Sequence, residues 1–200
     1  MANIITLLRF PLLLIYIALL YFGDATAQMW CVPFIVIIIL MDTLDGIVAR
    51  YLGETSLFGS VLDIATDRTL ELVLWVVFAD LNLISIFFPI LVIVRGTMVD
   101  AIRGIGMRQG KAAFEQLKSP ISQFLVSSRT MRATYGTVKA IAFAVLTLNL
   151  SLLSSHSSWT SLVHILALTF TWISVVICLL RGFPVLVEGF AILKISPTEK

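Results

Sequence analysis

Charge is scarce in this chain. Only fourteen Lys or Arg and twelve Asp or Glu occur in 200 residues, against a hydrophobic share of 59%. A soluble domain of that length needs more charge to cover its surface, so a water-soluble globule is excluded and an integral membrane protein is indicated. The formal net charge of +2 gives no surplus for gripping nucleic acid, and no nucleic-acid partner is expected. The two cysteines, Cys31 and Cys178, fall in apolar stretches near opposite membrane faces. That excludes a disulfide framework and a thiolate metal site, and leaves them as packing residues. Histidine is equally rare: His156 and His164 lie in or beside a serine-rich stretch at 151–161 and are assigned structural roles. No inverted internal repeat is visible.

Long apolar runs dominate what is present. They occur at about 7–22, 30–49, 57–79, 83–102, 135–153 and 159–180, close to the roughly 17–25 residues a spanning helix needs. The expected fold is all-α, a polytopic membrane protein with six transmembrane helices and interfacial helices, forming one membrane-embedded domain over 1–200. A signal peptide is the competing reading of the first run. It lacks a small-residue cleavage site and Asp24 follows directly, so a retained helix is expected, with Pro11 in about its first turn. Arg9, Arg50, Arg103, Arg108, Lys111, Lys118, Arg129, Arg132, Arg181, Lys194 and Lys200 gather at or beyond one set of helix ends, whereas the opposite loops at 23–29, 80–82 and 154–158 contain no Lys or Arg. The positive-inside rule then places both termini in the cytoplasm.

Four acids interrupt the apolar sequence between positions 42 and 67. Asp42 and Asp45 are three residues apart, and Asp63 and Asp67 are four apart, so on helices each pair projects from one face. A turn centred on Glu54 that folds the two runs antiparallel brings Asp45 level with Asp63, and Asp42 level with Asp67. An ionised carboxylate in hydrocarbon costs about 2.5–3.5 kcal/mol on insertion scales, so four of them require a counter-charge. A hard divalent cation, Mg²⁺ or Mn²⁺, suits all-oxygen ligation, and Mg²⁺ is commonly shared with a substrate's phosphates. Gly46 and Gly59 are costly inside helices unless something approaches closely, either a neighbouring helix or a ligand.

The stretch D-T-L-D-G-I-V-A-R, eight residues, then G-S-V-L-D-I-A-T-D resembles the signature of the CDP-alcohol phosphotransferases, D-x2-D-G-x2-A-R-x8-G-x3-D-x3-D. It matches at Asp42, Asp45, Gly46, Ala49, Arg50, Gly59, Asp63 and Asp67. The resemblance implies phosphatidyl transfer from CDP-diacylglycerol to a small polar alcohol with release of CMP, in the lipid bilayer and by a homodimer. It implies that Asp42, Asp45, Asp63 and Asp67 form the metal site for Mg²⁺ or Mn²⁺, with Asp67 as catalytic base. It also implies that Asn3, Thr6, Asp45, Gly46, Ala49, Arg50 and Gly59 contact the CDP donor. For Asn3, Thr6 and Arg9 the residues alone allow a plainer reading, that they cap and anchor the first helix. Crowding of like charges raises the proton affinity of the acid least shared with metal, which suits a general base.

The acceptor is sought in the basic stretch 103–132, which holds six Lys or Arg against one acid, Glu115. Attraction to anionic headgroups, about 1 kcal/mol per basic residue, is one reading; capture of a phosphorylated acceptor is the other. Ser119-Pro120 has the form of a helix start, and Ile121, Phe124 and Leu125 give it an apolar, interfacial face. Arg129 and Arg132 follow, with Lys139 beyond them, and Arg95 and Arg103 face nearly the same way at an eight-residue spacing. As intramembrane charges, Glu71 and Arg95 need partners, each other or the acidic cluster. Arg95, Arg103 and Lys139 resemble positions of the glycerophosphate-using members, while Arg68 after Asp67 looks more like the inositol-using branch. Glycerol 3-phosphate is preferred, with inositol or inositol phosphate next. A cation transporter built on intramembrane carboxylates is the alternative of another class.

Overall fold

The computed structural model describes residues 2–52, 57–108 and 120–195. The regular structure is helical throughout: α1 (Ala2–Phe22), α2 (Ala25–Leu52), α3 (Leu57–Asp80), α4 (Phe87–Arg108), α5 (Pro120–Ser127), α6 (Arg129–Ser154) and α7 (Thr160–Ile195). Six long helices correspond to the six apolar runs, and the short α5 begins at the expected Pro120. Among the described residues α1, α2, α6 and α7 are long and apolar enough to cross a membrane. α3 and α4, with 24 and 22 residues, have spanning length but carry the charges Asp63, Asp67, Arg68 and Glu71, and Arg95, Asp100 and Arg103.

Three boundaries differ from the sequence reading. α1 starts at Ala2, which puts Pro11 in the helix interior instead of its first turn. α6 starts at Arg129 because Ser128 caps it: the Ser128 hydroxyl accepts from the Met131 amide at 3.1 Å, so the polar turns before Tyr135 are helical too. α7 runs through Pro184 to Ile195, well past position 180 where the last apolar run ends. A proline removes one backbone bond to the carbonyl four residues earlier, and apolar residues on both sides keep the helix going.

Helix ends on the loops without Lys or Arg are formed locally. Asp24 caps α2 by accepting from the Ala27 amide at 2.8 Å. Gly23 sits so close to Leu19 O and Ala27 Cβ that any side chain there would collide with the α1–α2 turn. Asn82 (φ 58°) and His156 (φ 51°) are left-handed, and the Leu83 and Ser157 amides bond back to Phe78 O and Leu152 O at 3.0 and 3.1 Å. That is how a left-handed residue closes a helix C-terminus.

The chain divides into two compact units, Met1–Ile86 with Ala140–Phe170, and Phe87–Lys139 with Thr171–Lys200. In the first, α1 packs on α2 and α3 and buries Thr6, Arg9, Leu13, Tyr16 and Leu20, while Ile4, Leu7, Leu8, Leu14 and Ile15 are exposed. This apolar exterior is what a lipid-facing helix presents. Lipid gives little hydrophobic drive between helices, so packing and interhelical hydrogen bonds hold them. Trp75 and Phe78 of α3 close on Phe143 of α6 at 4.9 and 5.7 Å between ring centroids. Tyr16 bonds Thr147 at 2.5 Å. Gln28 ties three helices, donating to Leu20 O of α1 at 3.1 Å and accepting from Ser154 of α6 at 2.7 Å. Such bonds contribute about 0.6 kcal/mol each on average.

In the second unit, Val126 of α5 is buried against Val99 and Ile102 of α4 and Val185 of α7, with Leu125 and Leu186 alongside. The Ser122 hydroxyl donates to Glu188 Oε1, and Phe88 meets Trp172 edge-on at 4.9 Å. α5 is therefore held by α4 and α7, with Phe124 of its apolar face left exposed.

Candidate functional site

The motif acids stand on two helices of the first unit. Asp42 is on α2, and Asp63 and Asp67 are one turn apart on α3, half-buried and exposed respectively. Beside them α3 buries Thr66, Leu70, Glu71 and Leu74. α1 packs against both helices, and it carries a cation that reaches the motif. Arg9 is 2% exposed, and its Nη1 donates to Asp42 Oδ1 at 2.6 Å. Arg9 Nε is also buried and has no hydrogen-bond partner among the described residues. Glu71 has Arg68 within 3.6 Å on its own helix.

These positions give Arg9 a partner that the cap-or-anchor reading of the α1 start does not supply. Arg9 is the counter-charge of the first motif acid, on the buried stripe of α1 that also contains Thr6. The side chains of Asn3, Asp45, Ala49 and Arg50 lie outside those described, as do any contacts of Gly46, and so does the turn at Glu54. Gly59 falls in the first turn of α3. Among the described side chains no three acids, histidines or cysteines converge on one point. The donor chemistry still fits a hard divalent ion: Asp42, Asp63 and Asp67 offer only carboxylate oxygen, the ligand type Mg²⁺ and Mn²⁺ prefer.

The cations proposed for the acceptor belong to the second unit, where Lys139 shares the Tyr135 ring with Arg181. Arg181 of α7 lies with its guanidinium carbon 5.4 Å from the Tyr135 ring centre, and Lys139 Nζ is also 5.4 Å from it. Cation–π contacts of that length hold a charge without neutralising it. Arg181 Nε donates to Leu125 O at 3.2 Å, which fixes the guanidinium at the end of α5. Arg95 and Arg132 are both within electrostatic reach of Arg181. Arg95 is half-buried, and its Nε has no hydrogen-bond partner among the described residues. Arg129 is exposed at the start of α6, and the side chain of Arg103 lies outside those described.

Arg181 is the residue the sequence reading missed. In the sequence it figures only among the cations at helix ends, because the apolar run ends at Leu180. The apolar sequence beyond it, F-P-V-L-V, was the available signal that this charge lies within a helix. Like charges gathered this way disfavour one another, and a bound anion relieves that cost. Two or more guanidiniums suit a phosphate group, which they grip through paired N–H donors.

A sequence model described as CDP-alcohol phosphatidyltransferase matches residues 1–180. No curated protein matches the chain.

Proposed function

The chain belongs to the CDP-alcohol phosphatidyltransferase family, and from that premise we propose that it transfers the phosphatidyl group of CDP-diacylglycerol to a hydroxyl of a phosphorylated polyol, glycerol 3-phosphate by preference. The family is one of membrane transferases that make phospholipids, and the apolar helices agree with that setting. Support for a phosphorylated acceptor comes from one observation, the gathering of cations at Arg181, which shares the Tyr135 ring with Lys139 and interacts electrostatically with Arg95 and Arg132.

In the proposed reaction the acceptor hydroxyl oxygen forms a bond to the phosphorus that bears the diacylglycerol. The bond from that phosphorus to the bridging oxygen breaks, and CMP leaves with the electron pair. Asp67 takes the hydroxyl proton as general base. Asp42, Asp45 and Asp63, with Asp67 at the edge of the set, would hold Mg²⁺ or Mn²⁺; when bound, the ion supplies Lewis-acid neutralisation of charge on the diphosphate. Arg9 orients Asp42 from behind. Asn3, Thr6, Gly46, Ala49, Arg50 and Gly59 are assigned to the cytidine diphosphate, and Arg95, Arg103, Arg129, Arg132, Lys139 and Arg181 to the acceptor's phosphate. Both termini and the acids face the cytoplasm in this proposal, within a homodimer whose protomers are each one membrane-embedded domain.

Inositol or inositol phosphate is the second reading, favoured by Arg68 directly after Asp67. Incubating purified protein with CDP-diacylglycerol and each acceptor in turn, then weighing the lipid product by mass spectrometry, separates the two. Phosphatidylglycerophosphate is the expected product. A phosphatidylinositol lipid from free inositol, with no product from any phosphorylated polyol, would overturn the acceptor assignment.

A further inference from the structure

Gly182 follows Arg181 on α7, and its lack of a side chain is filled from another helix. A Cβ built there would stand 2.5 Å from Arg95 Nε, 2.7 Å from Cγ and 3.1 Å from Cδ. Two of these atoms belong to the middle of the Arg95 stem, and Nε is buried, so the stem cannot yield by swinging its free end alone. α4 thus lays Arg95 across α7 at a residue that leaves room, next in the chain to Arg181, and the two guanidiniums interact electrostatically.

We propose that Gly182 is a positioning residue that sets Arg95 beside Arg181 to form a paired-guanidinium seat for a phosphate monoester; this rests on the phosphorylated-acceptor reading above. Arg181 is already fixed by Leu125 O and Tyr135, so Arg95 is the adjustable half of the pair and Gly182 sets its placement. A phosphate monoester carries a charge of about −1.5 to −2 near neutral pH, enough to offset two neighbouring cations. A neutral polyol offers no such counter-charge. Gly182 therefore acts on acceptor selection, favouring a dianion over an uncharged alcohol.

The test is a double-mutant cycle on full-length protein in lipid–detergent micelles, reading the glycerol 3-phosphate KM, kcat, CDP-diacylglycerol affinity and thermal midpoint. Gly182→Ala is expected to raise the acceptor KM about tenfold or more, the loss of a charged hydrogen bond, with donor affinity unchanged. In an Arg95→Ala background the same substitution is expected to add nothing, since the atoms it displaces are gone. Gly136→Ala, where an added Cβ meets nothing within 4 Å, should leave every parameter at the wild-type value. An unaltered acceptor KM in Gly182→Ala overturns the proposal, as does an effect of equal size with and without Arg95. Should Gly182→Ala fail to accumulate, Arg95→Ala is expected to restore it, and a double variant that still fails to fold overturns the packing. If wild-type protein rejects every phosphate monoester while the two substitutions remain non-additive in thermal midpoint, the acceptor reading is wrong and the Gly182–Arg95 contact stands.

Discussion

Asp42→Asn and Arg9→Met break the same ion pair from opposite ends, and they leave different things behind. Arg9 is 2% exposed and Asp42 is 38% exposed, across 2.6 Å. Asp42→Asn keeps the shape of the acid but leaves a guanidinium buried against a neutral amide, and breaking a buried pair in this way costs about 3–5 kcal/mol. Arg9→Met keeps most of the apolar stem and leaves a carboxylate that reaches water, so its cost falls toward the range of exposed pairs, about 0–1 kcal/mol. At about 2–4 °C per kcal/mol for a chain of this length, Asp42→Asn lowers the midpoint by roughly 6–20 °C and Arg9→Met by a few degrees. The double variant, with neither charge, should lie near Arg9→Met and well above Asp42→Asn. Thermal unfolding in detergent with divalent ions chelated, followed by tryptophan fluorescence, measures all four proteins. Equal losses in the two single variants, or a double variant that loses the sum of both, would refute the buried-cation argument.

Asp67→Asn is predicted to abolish turnover while leaving CDP-diacylglycerol binding largely intact, whereas Asp42→Asn loses both; equally poor donor binding in a filter assay would make Asp67 a metal ligand and not the base. Arg132→Ala and Arg181→Ala should each raise the acceptor KM about tenfold or more and spare donor affinity. Small losses that grow with salt and shrink with anionic lipid content would instead mark a headgroup-attracting surface, since diffuse attraction is screened within about 8 Å. His156→Val forces a β-branched residue into the left-handed region (φ 51°) and should cost about 1–2 kcal/mol, seen as a lower midpoint, while His156→Gly is tolerated.

Local signals in the sequence were enough for the helices and for the shared face of Asp63 and Asp67. Pro120 marks the start of α5 because a first-position proline acts within one turn, and Asp63 and Asp67 share a face of α3 because helix periodicity alone requires it. Arg9 could not be read this way. Its partner is 33 residues away, and only the packing of α1 on α2 turns an apparent interfacial anchor into a buried counter-charge. The same holds for Arg181, whose neighbours Arg95, Leu125, Tyr135 and Arg132 come from three other helices. Pro184 obscured α7 further, since a proline reads locally as a stop although it removes only one backbone bond. Spacing also cannot reveal a glycine kept empty for a side chain from elsewhere, as at Gly182.

The central claim is tested most directly by CMP release from CDP-diacylglycerol by the purified protein, with and without glycerol 3-phosphate, in Mg²⁺, Mn²⁺ or chelator. The account predicts CMP formation that requires both the phosphorylated acceptor and a divalent ion and that is lost in Asp67→Asn. No CMP with any alcohol acceptor, together with cation flux when the protein is placed in liposomes, would contradict it and turn the four acids into a transport site.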